Sequence, residues 1–481
     1  MNYRFIAKVL GRILMLTGAF MIPALLISVF LGERRAALAF AVTIGVTALT
    51  AGLTMAIRLR DKSFFAREGF VTTGLAWTLV SVFGALPFLI SGEIADFPSA
   101  FFEVVSGFTT TGSSVVTDIE SMSKGLVYWR SFTHWLGGMG VLVFLLAIGP
   151  IVKDAGSSMH LMRAESPGVK VGKLVPRIAG SAKILYFIYI GMTVIQIILL
   201  LLGDMPLFDA VTITYGTAGT GGFGIKNDSM ASYTNYQQNV VTIFMILFSV
   251  NFNVYFLLLS REFIKAFRNE ELLLFIAIIV CAISAISLNI RGLFDSMGAS
   301  IHHAAFQVAS IISTSGYSSV DFDQWPEFSR MILLMLMFVG ACAGSTGGGI
   351  KVVRLAIIMK SARAGIIGLR RPNTVTVMTM DGEPVEEETV NLVHRYMMAY
   401  IMIYAISVLL VSIEGFSLET SVSAVASCLN NIGPGLGAVG PMQSFSIFSS
   451  PVKLLLSLDM LLGRLELFPV LMLFTPAIWT K

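Results

Sequence analysis

Charge is scarce in this chain. Asp, Glu, Lys and Arg make up 13% of its 481 residues against 55% hydrophobic, and the mean hydropathy is +0.81. So little charge cannot clothe a soluble surface, which excludes an ordinary globular domain and implies a polytopic membrane protein. Cysteine is scarce too. Cys281, Cys342 and Cys428 fall in or beside apolar stretches without paired spacing, so a disulfide framework and a metal knuckle are both excluded and small buried residues are left. His134, His302 and His303 lack metal-ligand spacing and read as interfacial or packing residues. No cluster of His, Asp or Glu falls in the spans, as a membrane-embedded enzyme would need, and no cofactor is expected in the chain. The net charge of +4 reflects which side of the membrane the bases occupy and does not signal a nucleic-acid partner.

What is abundant is apolar sequence in long runs. The first, about 13–31, follows Arg4, Lys8 and Arg12 as a signal peptide's core would. It is long for one, lacks a small-x-small exit, and leads straight into a second run at 36–57, so both are expected to be retained helices. Further spans are expected near 70–91, 127–151, 184–203, 238–260, 272–290, 329–357, 396–413 and 452–474.

Between each later pair of spans lies a short apolar segment ending in a glycine loop: Thr110-Thr111-Gly112-Ser113-Ser114, Thr220-Gly221-Gly222-Phe223, Thr314-Ser315-Gly316-Tyr317-Ser318 and Asn431-Ile432-Gly433-Pro434-Gly435. A segment of about ten residues is half of what a crossing needs, so it dips in and returns. The order divides the chain into two leading helices (1–57), pore repeats at 58–152, 153–261 and 262–360, a cytoplasmic linker at 361–395 and a fourth repeat at 396–481. Non-helical backbone at membrane depth is tolerated only where it is buried or lines water, so four such loops predict one central pore. Glycine allows the torsions that turn carbonyls toward an axis, and flanking hydroxyls add oxygens; such a site suits a weakly held monovalent cation. The expected fold is therefore all-α: two leading transmembrane helices and four tandem helix, re-entrant loop, helix repeats with pseudo-fourfold symmetry.

Basic residues set orientation. Lys153, Arg163, Lys170, Lys173, Arg177 and Lys183, then Arg261, Lys265 and Arg268, then the bases of 351–371, belong in the cytoplasm, with the loops on the more acidic opposite face.

The third loop approaches the Thr-Val-Gly-Tyr-Gly filter of potassium channels. With Trp129-Arg130-Ser131, Trp135-Leu136-Gly137-Gly138-Met139-Gly140, Ala343-Gly344-Ser345-Thr346-Gly347-Gly348-Gly349-Ile350-Lys351 and Gly463-Arg464-Leu465-Glu466, the whole chain resembles the TrkH membrane-subunit family of the Trk, Ktr and HKT potassium transporters. The resemblance implies potassium uptake across a bacterial inner membrane with both termini cytoplasmic. It implies one filter glycine per repeat, here Gly112, Gly221, Gly316 and Gly433, with potassium on the carbonyls of Thr111, Gly112, Thr220, Gly221, Ser315, Gly316, Ile432 and Gly433. A homodimer and a cytosolic TrkA-type nucleotide-binding regulatory subunit are implied in the same way.

Four glycines at 344–349 would each cost a helix roughly 1 kcal/mol, so a break at 340–350 is expected within the third repeat's second span. A phosphate-binding loop is excluded there, because Lys351 neither follows a glycine nor precedes Ser or Thr. The resemblance makes this break an intramembrane gating loop (Gly344, Ser345, Thr346, Gly347, Gly348, Gly349 and Lys351) and makes Arg464 a barrier to cations beside it. A structural ion pair is the other reading of Arg464, an arginine inside an apolar run. An ion-coupled symporter is the alternative to a pore, disfavoured by the lack of an intramembrane carboxylate pair.

Overall fold

In a computed structural model, residues 1–57, 66–140, 178–371 and 377–479 are described. Six of their helices are long and apolar enough to cross a membrane, and a seventh if the bent pair Asn235–Ser249 and Phe252–Leu259 counts as one span. The leading span is longer than expected, running as α1 (Tyr3–Phe20) and α2 (Ile22–Phe30), with α3 (Arg34–Met55) packed along it. The expected span at 127–151 is described as helix only over Lys124–Gly138; residues 141–151, and five of the bases expected in the cytoplasm (Lys153 to Arg177), lie outside the described residues.

Each repeat then has an outer helix, a pore helix and an inner helix. The outer helices are α4 (Ala66–Ser91), α7 (Ile178–Leu202), α12 (Glu270–Asn289) and α16 (Glu387–Ser412). The pore helices are α5 (Phe97–Phe108), α8 (Leu207–Gly219), α13 (Met297–Ile312) and α17 (Leu418–Leu429). Inner helices are α6 (Lys124–Gly138), α9 (Asn235–Ser249) with α10 (Phe252–Leu259) and the short α11 (Phe263–Phe267) after it, α14 (Glu327–Phe338) with α15 (Val352–Arg370), and α18 (Ser450–Arg464). Every inner helix packs against the next repeat's pore helix: α6 on α8, α9 on α13, α14 on α17, and α18 back on α5. That last contact closes the ring.

Pore helices start at side-chain caps where the sequence supplies them. Asp96, Ser296 and Ser417 accept the amides of Ser99, Ala299 and Thr420, each worth about 1 kcal/mol. All four then run C-terminus first into the glycine loops, so the negative ends of four helix dipoles converge there.

Two expected spans are corrected. The span at 238–260 is bent by 90° at Val250–Asn251. The span at 452–474 stops at Arg464, because Glu466 and Leu467 take positive φ, before α19 (Phe468–Leu473) resumes. Within the segment expected as a linker, the described residues show α15 continuing to Arg370 and Asp381-Gly382 turning a two-stranded hairpin, Thr379–Met380 against Glu383–Pro384. Both turn residues have positive φ, as a two-residue hairpin turn requires. The Asp381 carboxylate accepts Asn269 Nδ2 and the Glu270 amide, both at 2.7 Å, which fastens the hairpin to the start of α12.

Candidate ion pathway

All four pore helices end in the same way. Thr110, Thr220, Thr314 and Asn431 adopt left-handed torsions, with φ of 56°, 56°, 59° and 55°. Their amides, and those of the residues after them, bond back three and five positions: Thr111 N to Ser106 O, Gly221 N to Gly216 O, Ser315 N to Ser310 O and Ile432 N to Ser427 O, all within 2.8–2.9 Å. This is the Schellman termination, usually built on glycine. Three threonines and an asparagine in its place store about 1–3 kcal/mol each, the strain that clusters at functional sites.

That shared geometry aligns the loops residue by residue. Thr111, Gly221, Ser315 and Ile432 are equivalent, and the next position, at φ of 85°, 70°, 80° and 110°, is Gly112, Gly222, Gly316 and Gly433. The glycine of repeat two that shares the register of Gly112, Gly316 and Gly433 is therefore Gly222, whereas the expectation named Gly221. Two adjacent glycines left the register open, and ring closure decides it. A Cβ on Gly112 would stand 1.9 Å from Gly221 O, one on Gly222 1.7 Å from Ser315 O, one on Gly316 2.1 Å from Ile432 O, and one on Gly433 3.0 Å from Thr111 O. Each loop's carbonyl thus abuts the preceding loop's glycine, around all four repeats.

The carbonyls of Thr110, Thr111, Gly112, Thr220, Gly221, Gly222, Thr314, Ser315, Gly316, Asn431 and Ile432 accept no hydrogen bond from any described residue. Leaving a buried carbonyl unmatched costs about 1–3 kcal/mol, and a bare cation is the partner such oxygens suit. Gly433 differs. Its carbonyl accepts from Ser113 Oγ at 2.8 Å and Ser427 Oγ at 2.6 Å, which engages both lone pairs. Two of the flanking hydroxyls are bonded within the protein: Thr111 Oγ1 meets Thr109 Oγ1 at 2.8 Å and Asn431 Nδ2 at 2.9 Å, and Ser315 Oγ meets Ser313 Oγ at 2.8 Å, whereas Thr110 Oγ1 is buried without a partner among the described residues.

Beneath the ring, residues 339–351 separate α14 from α15, where the glycines predicted a break. Gly348 N donates to Thr314 Oγ1 at 2.7 Å, so this segment touches the third glycine loop directly. It is also sewn into the bend of α9–α10, through Cys342 N to Ser249 O at 3.1 Å and Phe252 N to Gly344 O at 3.1 Å. Lys351 Nζ donates within the loop to Gly347 O, and Ser345 Oγ to Cys342 O at 2.7 Å. Arg464 spans the space below, donating to Thr346 O at 2.8 Å and, on the far side, to Gly137 O and Gly138 O. Glu466 pairs with Arg354, whose guanidinium lies 4.0 Å from the Tyr396 ring.

Two groups escaped the sequence reading. Glu271, 1% exposed, holds the ends of the intramembrane loop: its Oε1 accepts Ala343 N at 2.7 Å and Val353 N at 3.1 Å. Its only signal was a second carboxylate, after Glu270, at the very start of the apolar run of 272–290. Glu271→Ala removes the acceptor of those two N–H groups, and their hydrogen exchange is expected to quicken about tenfold, measured by mass spectrometry. The second is the buried pair Arg130–Glu103, 2.5 Å apart, in which Glu103 also accepts Ser114 Oγ and Val115 N and Arg130 donates to Gly224 O at 2.9 Å. It clamps the exits of loops one and two together. Glu103→Ala strands a buried cation and is expected to cost about 3–5 kcal/mol, seen as a lowered thermal midpoint in detergent.

Acids on the filter face are partly spoken for. Arg330 pairs with Asp323, Glu327 and Glu419, and Glu33 and Glu93 accept the amides that start α6.

The family model described as TrkH, cation transport protein, matches residues 36–481. The chain is 33% identical to the Trk system potassium uptake protein TrkH of Salmonella typhimurium and 34% identical to that of Escherichia coli K12, covering 100% of both chains in each case. The crystal structure of the potassium transporter TrkH from Vibrio parahaemolyticus superposes with a TM-score of 0.88 at 30% identity, covering 100% of each chain.

Proposed function

The chain belongs to the TrkH family of cation transport proteins and is a multi-pass membrane protein of potassium uptake, not an enzyme; we propose that the ion passes through the ring of four glycine loops. The observation that carries this reading is the ring itself: four loops in one backbone register, each carbonyl against its neighbour's glycine, with oxygens that no described donor occupies. Potassium would shed water onto the carbonyls of Thr111, Gly221, Ser315 and Ile432, flanked by those of Gly112, Thr220, Gly222 and Gly316. The loop from Gly340 to Lys351 and the guanidinium of Arg464 lie across the path below and form the gate.

Permeation is passive on this reading, down the electrochemical gradient and without a resident cofactor. Membership of a Trk system implies a partner regulatory system. We assign that role to a cytosolic nucleotide-binding TrkA-type subunit acting on a homodimer in the bacterial cytoplasmic membrane, with both termini inside. In proteoliposomes holding the purified chain, a potassium gradient is expected to set a diffusion potential that persists when the proton gradient is collapsed. Uptake that stops with the proton gradient at fixed membrane potential would instead establish a symporter.

A further inference from the structure

His134, which the sequence alone assigned to packing, lies within α6 at 0% exposure and touches two repeats at once. Its Nδ1 is 2.8 Å from Gly107 O, in the pore helix of repeat one, and its Nε2 accepts the amide of Phe223, in loop two, at 3.2 Å. One nitrogen accepts an N–H and the other faces a carbonyl, so the partners select the neutral tautomer with the proton on Nδ1. The ring lies 4.1 Å from the Phe223 ring, centroid to centroid, and a Cβ on Gly221 would stand 2.2 Å from Nδ1. The imidazole therefore fills the space where Gly221 has no side chain.

That space is filled differently in the other repeats. The residues equivalent to Gly221 anchor their own loops: Thr111 through Thr109 and Asn431, Ser315 through Ser313, and Ile432 by burial in the apolar core. We propose that His134 is the positioning residue of loop two, replacing the missing side chain at Gly221 from the neighbouring repeat and thereby setting the ion preference of the filter. By tying the Phe223 amide to pore helix one, it holds the Gly221 carbonyl at its place in the ring. A glycine free of this brace would let that carbonyl follow a smaller ion inward.

The inference rests on the filter reading of the loops. It is tested on the full chain in proteoliposomes by the potassium-to-sodium permeability ratio from reversal potentials, which a loss of folded protein does not move. His134→Asn keeps a donor near Gly107 and loses the acceptor for Phe223; the ratio is expected to fall about tenfold, one buried hydrogen bond's equivalent. Gly221→Ser combined with His134→Ala restores an anchoring side chain to loop two and is expected to recover part of the ratio. An unchanged ratio in His134→Asn, or no recovery in the double variant, reduces His134 to packing and overturns the proposal. Where neither variant folds, wild-type protein decides: the His134 Nε2 nitrogen shift is expected to move when sodium replaces potassium, and a stationary shift overturns it. Should Gly316→Ser leave the ratio intact, the filter reading fails; should only the His134 variants do so, this proposal fails alone.

Discussion

Gly316→Ser is expected to abolish potassium preference while leaving the protein folded. At φ 80° a side chain is strained by about 1–3 kcal/mol, and its Cβ would stand 2.1 Å from Ile432 O and 2.9 Å from Pro434 Cδ. The neighbour it meets is the backbone of loop four, which cannot rotate away as a side chain could. The Ile432 carbonyl must move, and the ring opens at the seam between repeats three and four. Bi-ionic reversal potentials should show the potassium-to-sodium ratio fall by at least about tenfold, since 1.4 kcal/mol suffices for that. Gly222→Ala should act alike, with 1.7 Å to Ser315 O and φ 70°. A full preference retained in both variants would mean that the loops do not select the ion.

Arg464→Ala is expected to have the opposite sign, raising basal potassium flux. Three backbone carbonyls on two sides of the path accept from this guanidinium, at Thr346, Gly137 and Gly138. Charged hydrogen bonds contribute about 1.5–3 kcal/mol each, so losing even one that exists only in the closed arrangement shifts the gate about ten- to a hundredfold toward open. A fixed positive charge in the path is lost as well, which lowers the barrier to a cation. Arg464→Lys keeps the charge without the planar fork and should fall between the two. Flux through vesicles without regulatory subunit measures this directly, and a wild-type rate in Arg464→Ala would remove Arg464 from the gate.

Much of the pathway was legible in one dimension because its cause is local. Apolar runs too short to cross, each closing on glycine, announce re-entrant loops, and the glycines at 344–349 announce a broken helix, since both follow from backbone torsions and hydrogen bonds that a residue carries wherever it sits. Membrane class, the four repeats and the intramembrane break followed from this.

What the chain order could not convey was every choice made by a neighbour distant in sequence. Gly221 and Gly222 both permit positive φ, and only the Ser315 carbonyl pressed against Gly222 selects between them. The bend at Val250–Asn251 has neither glycine nor proline to mark it; it is imposed by the intramembrane loop, which takes the carbonyl of Ser249 and supplies one to the amide of Phe252. Gly433 has the sequence of a filter glycine, yet Ser113, more than three hundred residues away in the chain, helps claim its carbonyl. Torsional permission is a property of the residue, whereas hydrogen-bond partners across a ring of four repeats exist only once the ring has closed.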